Sequence, residues 1–192
     1  MADPNNENEI LLWNCFKNGD AESFVAIFKI YYPRLFNYGI KMTADTNIAE
    51  DCIQDLFTEL WKSGGKAEII SLNAYLFTAF KFKMMRAIKA SIKNNHSLSE
   101  KDETSFEISH ELFLIDKEYN AELKQKFANS LNELSPRQKE IIYLKFYQNL
   151  SYEEISNIMQ INYQAARNLL YQAIRILKKI SGLLLLMVSA VN

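Results

Sequence analysis

The sequence predicts an all-α protein: two small helical domains joined by a flexible linker, the C-terminal one a helix-turn-helix. Three observations carry that prediction. Five Gly and three Pro in 192 residues are too few for a turn-rich β architecture. Apolar residues recur at spacings of three and four, the period of one helix face, without sustained strand-type alternation. Helix start signals recur at short intervals near the C-terminus. With 48% of residues apolar, the chain has the material for packed cores, and wholesale disorder is excluded.

From the N-terminus, residues 3–9 are polar and acidic and are expected to fray. Ile10 to Phe16 form a short helix that ends at Asn18-Gly19-Asp20. Asp20 caps a longer helix with Phe24, Ile27, Phe28 and Tyr31 on one face. Pro33 is expected to kink or break it before Leu35, Phe36 and Ile40 resume the stripe. After a break at Thr43–Asp45, a helix over 46–61 buries Ala49, Cys52, Ile53, Leu56 and Leu60. Asp51, Gln54, Asp55 and Thr58 line its other face, which taken alone is an ordinary solvated surface.

Ser63-Gly64-Gly65-Lys66 reads as a loop, without the Gly-x-x-x-x-Gly-Lys-Ser/Thr spacing that cradles phosphate. A helix then runs from Asn73 to about Lys93 with Leu76, Phe80, Met84 and Ile88 in steps of four. Lys81, Lys83, Arg86, Lys89 and Lys93 dominate the remainder, and Tyr75, Phe77 and Phe82 add rings. Cations with interleaved aromatics suit a single nucleic-acid strand, the cations tracking backbone and the rings taking bases. The plainer alternative is core rings with Lys stems lying over them.

Residues 94–116, rich in Asn, Ser and acids, read as a flexible connector. A helix over 117–134, with Leu123, Phe127 and Leu131 in steps of four, opens the second domain. Three short helices follow. Ser135-Pro136-Arg137-Gln138 and Ser151-Tyr152-Glu153-Glu154 each place a capping hydroxyl three residues before a Gln or Glu that reaches back. Asn162 is the third cap. Two helix starts eleven residues apart, Ser151 and Asn162, suit a helix-turn-helix that presents its second helix outward. In that helix Ala166, Leu170, Ala173 and Leu177 form the apolar stripe. Tyr163, Gln164, Arg167, Asn168, Tyr171 and Arg175 take the opposite side, as donors to phosphates and base edges or as a solvated face.

Net charge is −1, but it is distributed in blocks. Residues 1–62 carry 5 basic and 10 acidic side chains, 63–95 carry 6 and 1, 96–135 carry 4 and 9, and 136–192 carry 7 and 3. Two basic blocks separated by acidic ones can engage DNA at two places and protein elsewhere. Cys15 and Cys52 sit among apolar neighbours as buried thiols, and His96 and His110 have no zinc-type spacing. No nucleophile–base pair, metal set or nucleotide loop points to an enzyme, so no cofactor is expected. Without a signal peptide, and with an apolar tail of only nine residues at Leu183–Val191, no stable membrane insertion and a cytoplasmic location are expected.

The stretch Leu134-Ser135-Pro136-Arg137-Gln138, then Leu150-Ser151-Tyr152-Glu153-Glu154-Ile155 and the helix after Ile161, resembles the C-terminal DNA-binding domain of bacterial sigma factors of the extracytoplasmic-function (ECF) type. Upstream, Phe28 with Tyr32-Pro33-Arg34-Leu35, and Ala49-Glu50-Asp51-Cys52-Ile53-Gln54-Asp55-Leu56-Phe57 with Leu60-Trp61, resemble the family segment that grips core RNA polymerase. The resemblance implies a region-2-like domain over 10–95, a linker over 96–116, a region-4-like domain over 117–182 and a tail over 183–192. It further implies a polymerase surface at Asp51, Gln54, Asp55, Phe57 and Trp61. A −10 reader is implied in the loop at about Ser63–Leu72 and in Asn73, Tyr75, Lys81, Lys83, Arg86 and Lys89, and a −35 reader in the last helix. Core RNA polymerase, promoter DNA (duplex and locally melted) and an anti-sigma factor are the implied partners.

Two helices depart from the family pattern. Phe82 stands where Asn is common, and Ala165-Ala166, Leu169 and Gln172 replace Thr-Val and further basic residues. Two rival readings remain at this point: a sigma mimic that sequesters an anti-sigma factor, and a plain helix-turn-helix repressor using only residues 134–179.

Overall fold

A computed structural model describes residues 4–94, 105–108 and 129–180. Among them every regular element is helical. They are α1 (Pro4–Lys17), α2 (Ala21–Met42), α3 (Thr46–Ser63), α4 (Leu72–Asn94), α5 (Pro136–Ile142), α6 (Tyr152–Met159) and α7 (Tyr163–Ile180), with a π-helical turn, Tyr143–Tyr147, continuing α5. Most of the connector, most of the helix expected over 117–134, and the apolar tail lie outside the described residues; 129–132 are helical. The chain divides into two compact units, the first holding 1–104 and 157–160, the second holding 105–156 and the stretch from 161 on.

In the first unit α2 packs on α1, α3 and α4. It contributes Ile27, Tyr31, Leu35 and Tyr38 at steps of four, four and three, all fully buried. Burying side chains of this size stabilises by about 1.5–3 kcal/mol each. Asp20 caps α2, accepting from the backbone N–H groups of Glu22 and Ser23 and from the Ser23 hydroxyl. Those hydrogen bonds, the Ser23 hydroxyl first, hold its carboxyl below the usual range. Asp45 caps α3 in the same way, and Gly64, in the left-handed conformation at φ 61°, ends it.

Two expectations for this unit are corrected. The break at Pro33 is absent, and α2 is one helix from Ala21 to Met42. Pro33 and Lys29 are both exposed, so the missing hydrogen bond lies on the solvent side of α2 and not in its packed face. The N-terminal residues also do not simply fray: α1 begins at Pro4, and Glu9 is a buried carboxylate. Glu9 accepts from the Tyr31 hydroxyl at 2.7 Å, Asn73 Nδ2 at 3.2 Å and Arg34 Nη1 at 3.5 Å. A polar stretch is thereby fastened to α2 and α4.

At Gly39, α2 meets its neighbours closely. A Cβ there would lie 3.0 Å from both Ala49 Cβ and Phe80 Cζ. Gly39→Ala is expected to destabilise the first unit by about 1–3 kcal/mol through overpacking. Urea unfolding checks it; a midpoint at or above wild type would show that Phe80 yields freely.

In the second unit α5 packs on α7. Ser135 and Ser151 form the reciprocal capping boxes that their spacing implies. Gln138 N donates to Ser135 Oγ and Ser135 N to Gln138 Oε1, while Glu154 N donates to Ser151 Oγ and Ser151 N to Glu154 Oε2. Gln160 at φ 53° ends α6, and Asn162 Oδ1 accepts from Ala165 N at 2.7 Å to start α7. That three-residue turn, Gln160-Ile161-Asn162, makes the helix-turn-helix.

Within the expected connector, residues 105–108 are packed. Phe106 meets the Tyr143 ring at 5.7 Å and Ile108 is buried, while Glu107 between them accepts from Lys139 Nζ at 2.7 Å. Alternation of apolar and acidic residues lets this short piece cover α5 and neutralise its buried lysine.

Candidate nucleic-acid interface

All six side chains expected to form the recognition face of α7 are exposed: Tyr163, Gln164, Arg167, Asn168, Tyr171 and Arg175. Ala166, Leu170, Ala173 and Leu177 are buried behind them. The exposed face is ordered by side-chain pairs one turn apart. Gln164 Nε2 donates to Asn168 Oδ1 at 3.0 Å, and the Arg167 guanidinium lies 5.9 Å from the Tyr163 ring centroid. A helix presented through a three-residue turn with amide and guanidinium groups outward has the reach and the donors for a DNA major groove.

On α4, Leu76, Phe77, Phe80 and Met84 are fully buried. Arg86 and Lys89 are exposed, Lys81 and Lys83 are half-buried, and Lys83 Nζ pairs with Glu59 Oε1 at 2.6 Å. Phe82, 46% exposed, stands out among these cations. Two residues assigned to the −10 reader from sequence are engaged elsewhere. Asn73 is held by Glu9 and accepts from the Tyr31 hydroxyl at 3.1 Å. Tyr75 packs against Trp13 with ring centroids 5.4 Å apart. Burial, then the Glu59 charge, push the Tyr75 phenol up from its ordinary value.

The loop before α4 holds a residue that the pattern did not single out. Trp13 Nε1 donates to Ala67 O at 3.3 Å, Gly65 is buried against the Phe16 ring, and Ser71 Oγ accepts from Ala74 N at 3.1 Å. Between those anchors Ile70 is 95% exposed. An apolar residue preceding an N-cap ordinarily packs on the fourth helical residue, here Tyr75. Tyr75 is occupied by Trp13, which leaves Ile70 facing water.

On α3, Asp51, Gln54 and Asp55 share an exposed face, and Trp61 is 52% exposed. Phe57 is not on that surface. It is buried, with Phe24 at 6.0 Å and Phe28 at 4.9 Å between ring centroids. Those two rings of α2 widen the apolar stripe of α3 by one position. Cys52 is buried as expected; burial, then the Asp55 charge, push its thiol up.

Residues 27–91 match the family described as Sigma-70 region 2, and residues 124–177 match Sigma-70, region 4. Together these segments cover more than half of the chain, in the family's order. The chain belongs to the sigma-70 family. Among curated proteins it is similar to the ECF RNA polymerase sigma factor SigK of Mycobacterium sp. (strain JLS), 20% identical over 171 residues, covering 85% of this chain and 86% of the relative. It is similarly related to SigK of Mycolicibacterium vanbaalenii, 21% identical over 170 residues, covering 85% and 84%. Both relatives are ECF factors, and the protein is an RNA polymerase sigma factor of that kind.

Two solved structures share its fold. CnrH, in complex with the cytosolic domain of CnrY, has a TM-score of 0.58 at 15% identity, covering 88% of this chain and 94% of that one. The sigma factor RpoE of Bartonella quintana, solved with the anti-sigma factor NepR, has a TM-score of 0.56 at 23% identity, covering 83% and 97%. Within the sigma factor, α3 and most of α2 and α4 fall in the region 2 match, and the helix-turn-helix lies in the region 4 match up to Leu177. Among the described residues no helix is long and apolar enough to cross a membrane, and no group of three or more His, Cys, Asp or Glu could hold a metal ion.

Proposed function

We propose that this sigma factor acts in the cytoplasm and brings core RNA polymerase to promoters through two DNA contacts, without chemistry of its own. Residues 10–95 and 117–182 are the two working domains. The observation that carries this reading is the division of α7, with six side chains able to meet DNA exposed on one face and four apolar ones buried on the other. That face reads the −35 element as duplex. The exposed cations of α4, with Phe82 beside them and Ile70 on the preceding loop, hold the −10 element as its strands part. Arg86 and Lys89 neutralise backbone, and the two apolar side chains give unstacked bases a surface. Asp51, Gln54, Asp55 and Trp61 form the polymerase-facing surface. An anti-sigma factor is the restraining partner, as NepR is bound to RpoE of Bartonella quintana.

The test separates duplex binding from strand opening. With holoenzyme on its promoter, Arg86→Ala and Lys89→Ala together are expected to lower permanganate reactivity of −10 thymines roughly tenfold or more. Initial closed-complex binding at low temperature should fall less than threefold. Equal losses at both steps would remove α4 from strand opening.

A further inference from the structure

Four side chains from three elements form a line through the second unit. Lys145, inside the π-helical turn, donates to Leu150 O at 3.0 Å and places its ammonium 5.2 Å from the Tyr152 ring centroid. Tyr152 opens α6 and meets the edge of Tyr163, the first residue of α7, with centroids 5.7 Å apart and planes at 63°. Tyr163 in turn lies beneath the Arg167 guanidinium at 5.9 Å. Each ring is fixed at its backbone as well. Ser151 and Glu154 cap the helix that Tyr152 begins, and Asn162 caps the one that Tyr163 begins.

An exposed arginine ordinarily loses many rotamers on binding, and a group already held in its bound direction loses fewer. Arg167 lies one turn into α7, among the N-terminal residues that meet base edges when such a helix enters a groove. We propose that Tyr163, backed by Tyr152, is a positioning residue that aims the Arg167 guanidinium at a base edge and so sets sequence preference at one base pair. The inference rests on the reading of α7 as a duplex reader. A guanidinium directed by a ring face suits guanine, whose O6 and N7 accept both of its parallel donors. The Lys145–Tyr152 contact supports Tyr163 from behind and links its orientation to the π-helical turn.

The test uses the full-length protein with core polymerase on a promoter it transcribes, in competition with every single-base-pair change in the upstream element. Arg167→Ala is expected to remove discrimination of roughly tenfold or more at one base pair. Tyr163→Ala should remove roughly three- to tenfold at that same base pair and leave the salt dependence of binding unchanged. Tyr163→Phe, which keeps the ring face, should retain the discrimination at that base pair that Tyr163→Ala loses. In an Arg167→Ala background, Tyr163→Ala should have no further effect, an outcome that mere loosening of the fold does not produce. Multiplicative losses in the double variant, or equal weakening on all sequences, would overturn the positioning role while leaving the duplex reader intact. A wild-type holoenzyme indifferent to every upstream change would overturn the reading and the inference together.

Discussion

Asp51→Lys combined with Asp55→Lys is expected to weaken association with core RNA polymerase by roughly 100-fold or more while leaving the protein folded. The two carboxylates are exposed one turn apart on α3, beside Gln54 and a half-exposed Trp61. Neither lies in the core, whose α3 members are Ala49, Cys52, Ile53, Leu56, Phe57 and Leu60. Reversing both charges makes a four-charge change on a small patch. Like-charge juxtaposition at a protein interface costs several kcal/mol, which is the origin of the expected factor. Affinity measured by fluorescence anisotropy at two salt concentrations checks this. Undiminished binding would move the polymerase surface off α3.

Glu9→Ala is the second large effect. The carboxylate is buried and accepts from Tyr31, Asn73 and Arg34, which belong to α2 and α4. Removing one shared acceptor leaves buried donors and a partly buried guanidinium to find other partners. A loss of about 2–4 kcal/mol is expected for the first unit. The start of α4 should loosen most, because Asn73 is its second residue. Amide hydrogen exchange is therefore expected to quicken at Leu72–Leu76 beyond the global change. An unfolding midpoint within experimental error of wild type, with unaltered exchange there, would show the network to be dispensable.

Much of this architecture was legible because local rules and tertiary packing agree. Ser135, Ser151, Asn162 and Asp20 act as caps where their spacing places them, and the apolar stripes of α3 and α7 are buried as their periodicity requires. The residues whose setting the sequence does not show are those fixed by a distant partner. Phe57 neighbours the stripe of α3 and becomes buried only because Phe24 and Phe28 meet it. Asn73 and Tyr75 sit at the start of a basic helix, but Glu9 and Trp13, more than fifty residues away, take their polar and aromatic faces. Glu9 itself looks like one acid in a polar N-terminus. The π-helical turn was invisible for another reason. Its longer hydrogen bond, Gln148 N to Tyr143 O at 3.1 Å, leaves no mark in a three-and-four apolar period.

The candidate surfaces follow the same division. Exposure of the α7 face could be read from periodicity, since its buried side has no competing partner. The order imposed on that face could not: the Tyr152–Tyr163 contact joins two helices across a turn, and Arg167 follows Tyr163. Ile70 likewise owes its exposure to what Trp13 and Tyr75 do to each other.

Run-off transcription over fragmented genomic DNA tests promoter recognition, with purified protein plus core polymerase set against core alone. Discrete transcripts that start a fixed distance from a shared two-part motif are predicted, and they disappear when the protein is omitted. A protein that binds core polymerase but adds no transcript on any fragment would contradict promoter recognition by these two units. One that fails to bind core at all would contradict the polymerase surface as well.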